Sequence, residues 1–201
     1  MKLYYAPGAC SLSPHIVAEE AGISLELEKV DLRTHRTESG EDYYKINPKG
    51  YVPALVMPNG ELLTEGPAIV QYLADQKPES KLAPSYGTAG RYRLMEWLTF
   101  INSEMHKSFS PLFGNGPEET KVGARKKISN RFAFVDSTLA KHDYLLGETF
   151  SVADAYLFVI TNWATTTKME LPTHVAAFRK RVLERPKVQA ALTAEGLTIS
   201  S

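Results

Sequence analysis

Lys2-Leu3-Tyr4-Tyr5-Ala6-Pro7-Gly8-Ala9-Cys10-Ser11-Leu12-Ser13-Pro14-His15-Ile16 begins with a short apolar strand, breaks at Pro7-Gly8, and continues into an amphipathic run that reaches Gly22. A strand feeding a turn and then a helix aims the first free N–H groups and the positive end of the helix dipole at whatever lies at the junction. Ser11 is placed to cap that helix, and Pro14 falls in its first turn, where the missing donor is harmless. Cys10, the only cysteine of the chain, stands at the junction. A thiol there loses its proton more readily than one in water, which makes Cys10 a candidate thiolate. The competing reading is a small buried hydrophobe.

Working outward, residues 25–32 alternate apolar and charged side chains as a half-buried strand does. Two short apolar runs, 54–57 and 61–64, flank Pro58-Asn59-Gly60, whose Asn-Gly marks a tight hairpin, and helical spacing returns from Gly66 to Asp75. The order βαβ, a less regular segment, then ββα predicts a small mixed sheet with helices packed on it. Pro78, Pro84 and Gly87 among polar residues have linker composition. The expected division is an α+β domain over 1–80, a linker over 81–87 and an all-α bundle over 88–201. In the bundle, Leu94, Leu98, Ile101 and Met105 form one apolar stripe and Ile128, Phe132, Val135 and Leu139 another. Ser151 and Asp154 are spaced as a capping box for a helix running from Val152 to about residue 166.

Composition excludes several function classes. The 201 residues are 43% apolar, and 23 basic residues balance 23 acidic ones, so no global charge favours nucleic acid or an acidic membrane. The cluster Lys121, Arg125, Lys126, Lys127 and Arg131 reads as the wet face of a helix. A single cysteine allows no internal disulfide and fits a reducing compartment. The apolar stretch before Cys10 is too short for a signal peptide and no run is long enough to span a bilayer, so a cytoplasmic protein is expected. Neither a metal-ligand spacing, a P-loop nor a nucleophile elbow occurs, and metal is not expected.

Two further junctions carry chemistry. Val52-Pro53 precedes a strand; a trans bond is the default for such a pair, whereas a cis bond presents the N–H and C=O of Val52 to an extended peptide. Glu65-Gly66 opens the next helix, where a carboxylate suits an ammonium and free amides suit a carboxylate. Together these groups match the α-amino acid end of a ligand; separately, each is explained as a cap. His106, beside apolar Met105, reads by itself as a structural or exposed histidine.

The stretch from Met1 to Gly22, Asn47-Pro48-Lys49-Gly50-Tyr51-Val52-Pro53-Ala54-Leu55, Leu63-Thr64-Glu65-Gly66-Pro67-Ala68-Ile69, Glu104-Met105-His106-Lys107 and the box from Gly147 to Asp154 together resemble a bacterial glutathione S-transferase of the beta class. The match runs in order over about residues 1–196. The resemblance implies a thioredoxin-like N-terminal domain (βαβ-α-ββα), an all-helical C-terminal domain, and a homodimer with the glutathione site near the subunit interface. It implies conjugation of the glutathione thiol to small hydrophobic electrophiles, with glutathione as co-substrate and no cofactor. It also makes Pro53 a cis proline. Position by position, Cys10 faces the glutathione sulfur, with Ser11 or His106 helping to hold it. Val52 pairs with the cysteinyl backbone, and Glu65 with Gly66 holds the γ-glutamyl end. His106 and Lys107 approach from the long helix after the linker, and Ser103 and Glu104 reach across from a partner subunit.

Three positions depart from the commonest family pattern. His35 stands where a lysine often holds the glycine carboxylate, Gly66 where serine is common, and Thr99 where asparagine is frequent. A largely neutral imidazole at residue 35 predicts weaker, pH-dependent glutathione binding. A thiol transferase or peroxide reductase working through a Cys10 mixed disulfide is a second enzymatic outcome. A non-catalytic binder of the same fold is the alternative from another class.

Overall fold

The computed structural model describes residues 1–198, which divide into two units: Met1–Ala83 together with the segment from Arg185, and Pro84–Glu184. The division falls inside the stretch read as a linker.

In the first unit, β1 (Lys2–Tyr5), α1 (Leu12–Ala21) and β2 (Glu26–Asp31) form a βαβ unit whose strands pair in parallel, with Leu3 opposite Leu27. β3 (Arg36–Thr37) and the single turn α2 (Tyr43–Ile46) fill the segment read as irregular. A two-residue strand carries no alternation to detect, and α2 is announced only by Asp42, whose carboxylate accepts the Tyr44 N–H at 3.1 Å. β4 (Ala54–Val56) and β5 (Leu62–Thr64) follow, joined at the expected Asn-Gly turn, where Gly60 sits at φ 85° and its N–H bonds the Met57 carbonyl at 2.9 Å. α3 (Gly66–Gln76) closes the run. The five-stranded sheet has the order β3-β2-β1-β4-β5, with β4 antiparallel to β1, Leu55 against Leu3. Leu3 and Leu55 are completely buried, as are Ile16 and Val17 of α1 and Ile69, Val70 and Leu73 of α3, and these helices pack beside each other. The apolar periodicities of 2 and 3.6 thus meet in one core, the physical content of the α+β expectation.

The second unit is all helical. α4 (Ala89–Phe100) starts at Thr88, whose hydroxyl accepts the Arg91 N–H at 3.2 Å. It does not continue as one long regular helix through His106 and Lys107, as the resemblance implies. A π turn (Ile101–Met105) and a 3₁₀ turn (His106–Phe109) intervene before the short α5 (Ser110–Phe113). Helix breaks of this kind re-aim side chains and recur at functional sites. α6 (Glu118–Leu139), α7 (Val152–Thr166) and α8 (Thr173–Leu183) complete the unit. Both predicted stripes are buried, from Leu94 to Met105 and from Ile128 to Leu139. Ser151 and Asp154 form the expected capping box: the Ser151 N–H donates to Asp154 Oδ2 at 2.9 Å, and the Ser151 hydroxyl donates to the same oxygen at 2.6 Å. Asp154 Oδ1 also accepts the Leu145 N–H at 2.9 Å, so a single buried carboxyl fixes both the start of α7 and the loop before it.

α9 (Pro186–Ala194) belongs to the first unit, not to the bundle, which corrects the expected 88–201 boundary. Helical period shows that a segment is a helix but not which layer it covers. Here α9 packs on α1, and Arg185 Nε and Nη2 hold both oxygens of Glu20 at 2.7 and 2.8 Å.

Candidate active site

Cys10 lies in the turn that leads into α1. The Leu12 N–H bonds the Ala9 carbonyl at 3.0 Å and the Ser13 N–H bonds the Cys10 carbonyl at 3.1 Å, so helical turns begin ahead of Ser11. Ser11 therefore does not cap α1: its dihedrals are already helical (φ −62°, ψ −17°). Its hydroxyl instead accepts the Ala6 N–H at 3.1 Å and donates to the Ala6 carbonyl at 3.2 Å. Engaged on both sides and fully buried, that hydroxyl braces the loop rather than reaching a ligand sulfur.

The Cys10 thiol is half-buried and donates to the Val52 carbonyl at 3.1 Å. Donation to a carbonyl is made by the protonated thiol. The Val52-Pro53 bond is cis. The loop that carries it is held from behind: the Tyr51 carbonyl accepts from Asn47 Nδ2 at 2.7 Å and from the Tyr43 hydroxyl at 2.9 Å. Burial pushes the Tyr43 phenol up to about 12, which keeps it a donor. Tyr4, Val30, Tyr43, Val52 and Ala54 form one buried cluster beneath this loop.

α9 supplies residues that sequence reading did not assign. Glu195, buried at its end, accepts the Gly8 N–H on Oε2 at 3.0 Å and pairs with His15 Nδ1 through Oε1 at 2.9 Å. One carboxylate thus ties the Pro7-Gly8 turn to α1 and fixes the approach to Cys10. Nothing local in sequence links residues 8, 15 and 195; only the packing of α9 does.

Glu65 turns the chain into α3 at φ 71°, a left-handed value uncommon outside glycine. Its carboxylate is exposed and held by Lys49 Nζ at 2.7 Å, which also donates to Thr64 Oγ1 at 2.9 Å. A cation therefore already occupies the position read as an ammonium site, and Lys49 is a partner that the sequence reading missed. A Cβ on Gly66 would lie 4.0 Å from Pro53 Cγ, so the cis proline and the head of α3 are adjacent. Cys10, Val52, Pro53 and Gly66 follow one another closely in space, with Glu65 beside them. His35 lies against the 47–51 loop at Gly50. It has φ 51°, its ring lies against Tyr44 with centroids 4.4 Å apart, and its buried Nδ1 makes no hydrogen bond. Gly50, at φ 69°, leaves room for both rings: a Cβ there would come within 2.7 Å of Tyr44 Cε1 and 3.2 Å of the imidazole.

In the helical unit, His106 Nδ1 lies 2.5 Å from the Tyr156 hydroxyl, which donates to Asn102 Oδ1 at 3.0 Å. Trp163 meets the His106 ring edge-on at 4.8 Å, and Phe109 and Phe113 pack around the same indole. Lys107 is exposed beside them. Glu104 accepts from Arg131 Nη2 at 2.8 Å and Nε at 3.1 Å, which holds its carboxyl below the usual range. The Ser103 hydroxyl donates to the Thr99 carbonyl at 2.9 Å. Both residues thus have partners within their own chain. Among the described residues no group of three or more His, Cys, Asp or Glu side chains is placed to hold a metal ion, and no helix is long and apolar enough to cross a membrane.

Family models match both units: the glutathione S-transferase N-terminal domain over residues 1–75 and its C-terminal domain over residues 95–186. The chain belongs to the glutathione S-transferase family. It is 47% identical over 200 residues to glutathione S-transferase GstA of Escherichia coli O157:H7, covering 98% of this chain and all of that one. The bacterial beta-class glutathione S-transferase of Sphingomonas chungbukensis superposes with a TM-score of 0.95 at 46% identity, over 98% of this chain and all of that one. A sphingomonad glutathione S-transferase complexed with glutathione does so with a TM-score of 0.94, at the same identity and coverage. The fold and the beta-class resemblance read from the sequence are therefore borne out.

Proposed function

We infer that this glutathione S-transferase joins the thiol sulfur of glutathione to an electrophilic carbon of small hydrophobic compounds. The observation that carries the reading is the Cys10 Sγ contact with the Val52 carbonyl at 3.1 Å. It sets the head of α1 against a backbone edge suited to an extended peptide, so a peptide thiol paired with Val52 brings its sulfur to that helix end. Glu65 and the amides at the head of α3 then receive the γ-glutamyl ammonium and carboxylate, with Lys49 giving up its place on Glu65. His35 takes the glycine carboxylate. His106 and Lys107 belong to the same proposed set of glutathione residues, and the Trp163–Phe113 rings give the helical unit an apolar surface. A cytoplasmic location belongs to the same proposal.

A second reading rests on Cys10 being half-buried and not in a disulfide. Its thiolate attacks glutathione disulfide, giving a Cys10–glutathione mixed disulfide and releasing one glutathione thiolate that takes up a proton. Incubation with glutathione and 1-chloro-2,4-dinitrobenzene, wild type beside Cys10→Ala, separates the two. Conjugation by both proteins supports transfer with Cys10 accessory. No conjugation by either, with a glutathione adduct on wild-type Cys10 by intact mass, favours the redox reading. No turnover, adduct or binding leaves a non-catalytic binder.

The protein is also proposed to be a homodimer. Trp97 and Phe100 of α4 cluster with Phe134 of α6, the latter 54% exposed, and Met95 and Tyr92 are exposed on α4 as well. An aromatic patch of this kind on a surface marks an association face. A second copy supplying Ser103 and Glu104 to the glutathione site would have to release Glu104 from Arg131. Sedimentation should give a dimer for the wild type and a monomer for Phe134→Glu.

A further inference from the structure

One backbone donor of the first unit is left over. Val52 is 7% exposed, and among the described residues its N–H meets no acceptor. A buried amide of that kind is rare and points to a ligand that completes the bonding. The other end of the same peptide is the Tyr51 carbonyl. The Tyr51–Val52 bond is trans, so its C=O and N–H lie in one plane and point in opposite directions. Whatever fixes the carbonyl therefore aims the N–H. Two side chains fix it: Asn47 Nδ2 donates to the Tyr51 carbonyl at 2.7 Å and the Tyr43 hydroxyl at 2.9 Å. Both are buried, whereas Tyr51 itself is exposed, so the loop is anchored through its backbone. The Asn47 amide has a fixed orientation, because its Oδ1 accepts the Lys49 N–H at 3.1 Å and leaves Nδ2 for the carbonyl. Asn47 and Tyr43 are also joined to each other, the Asn47 N–H donating to the Tyr43 carbonyl at 2.8 Å. The Tyr43 ring lies against Tyr4 with centroids 5.5 Å apart, which holds the hydroxyl in place.

We propose that Tyr43 and Asn47 are positioning residues that hold and polarise the Tyr51–Val52 peptide, so that the Val52 N–H is preset as the donor for the cysteinyl carbonyl of glutathione. The role rests on the glutathione reading above and adds to it two residues that act through the backbone alone. Hydrogen bonds accepted at one end of an amide draw electron density toward its oxygen and strengthen donation at the other end, by roughly 10–30% per bond. Because the peptide is already fixed, pairing with the ligand costs no further ordering of this loop. Burial keeps the Tyr43 phenol protonated through the neutral range, so its donation to Tyr51 does not lapse where the protein works.

Tyr51–Val52 is the only Tyr-Val step in the chain, so labelling with carbonyl-¹³C tyrosine and ¹⁵N valine gives one coupled pair whose signals belong to this peptide. In the full-length wild type, glutathione should move the Val52 amide proton downfield. Tyr43→Phe keeps the ring and removes one donor. It should shift the Tyr51 carbonyl carbon upfield in the free protein, shrink the downfield step of the Val52 proton, and weaken glutathione binding about fivefold by calorimetry. Val30→Ala, an apolar change in the same buried cluster, should lower stability yet leave the carbon shift and the Kd at their wild-type values. A Val52 proton that bound glutathione leaves unmoved in the wild type overturns the proposal without recourse to a variant. So does wild-type affinity in Tyr43→Phe, or a Val30→Ala protein weakened as much as Tyr43→Phe, since packing alone would then set the affinity. A wild type that binds no glutathione sinks the glutathione reading itself, and the carbonyl shift in Tyr43→Phe then decides separately whether the phenol holds the peptide.

Discussion

Replacing Asp154 by Ala perturbs a carboxyl that is completely buried yet accepts from Leu145 N–H, Ser151 N–H and Ser151 Oγ. Three donors favour the ionised form, but burial outweighs them and raises the carboxyl from 3.8 to about 6. The variant orphans two backbone N–H groups, at roughly 1–3 kcal/mol each. It also removes a carboxylate whose burial costs about 3 kcal/mol at neutral pH, from about two pKa units at ~1.4 kcal/mol per unit. The two effects largely offset at pH 7, leaving a net change between a gain of about 1 and a loss of about 3 kcal/mol. The sign of the pH dependence is the sharper expectation. The folded carboxyl binds its proton more tightly than the unfolded one, so its stabilising contribution is complete below 3.8 and is lost as the pH rises through about 6. Little bonding is sacrificed on protonation, because a proton on Oδ2 can be donated back to Ser151 Oγ across the same 2.6 Å contact. The gap between wild type and Asp154→Ala should therefore widen by about 2 kcal/mol on going from pH 7 to pH 4.5. Urea unfolding followed by tryptophan fluorescence is suited to this, since Trp97 and Trp163 both lie in the helical unit with Asp154. A gap that narrows in acid would show an ordinary ionised cap, and the balance between burial and hydrogen bonding argued above would be wrong.

Three more outcomes are expected. Glu195→Ala should lower stability by about 3 kcal/mol, because the buried His15 and the Gly8 N–H both lose their acceptor. It should also raise KM for glutathione by loosening the turn before Cys10, and an unchanged KM in a folded variant would refute that link. Gly50→Ala should cost about 1–2 kcal/mol from its left-handed φ of 69°. Displacement of His35 by the new methyl should weaken glutathione binding by calorimetry as well. His35→Lys should tighten glutathione binding by calorimetry, since an ammonium suits the glycine carboxylate better than an imidazole does; an unchanged Kd would count against His35 as the carboxylate partner.

Apolar periodicity reaches the core faithfully in this chain. The alternation over residues 25–32 became β2, the stripes on α4 and α6 became buried rows, and Asn59-Gly60 became the hairpin, because each signal is local and its period is that of the element. The backbone chemistry of the site was less legible. Val52-Pro53 by itself reads as trans, and only the run of flanking motifs pointed to cis. Ser11 has the right residue type for a cap but sits one position inside the turn, so its hydroxyl went to Ala6. Lys49 on Glu65, Glu195 on Gly8 and Tyr156 on His106 join residues 16, 187 and 50 positions apart. Such pairs leave no mark in sequence, since each depends on which layer a helix covers rather than on whether it is a helix.

The first unit is discontinuous, and this bears on how the protein is made. During synthesis, β1 through α3 leave the ribosome long before Glu195, so Gly8 and His15 wait without their acceptor while the whole helical unit is translated and folds. A chain cut short ahead of α9 would keep every residue assigned to glutathione yet lack the clasp that sets the Cys10 turn. Nonsense and frameshift lesions near the 3′ end of the gene should thus damage the glutathione half of the protein while sparing its helical half.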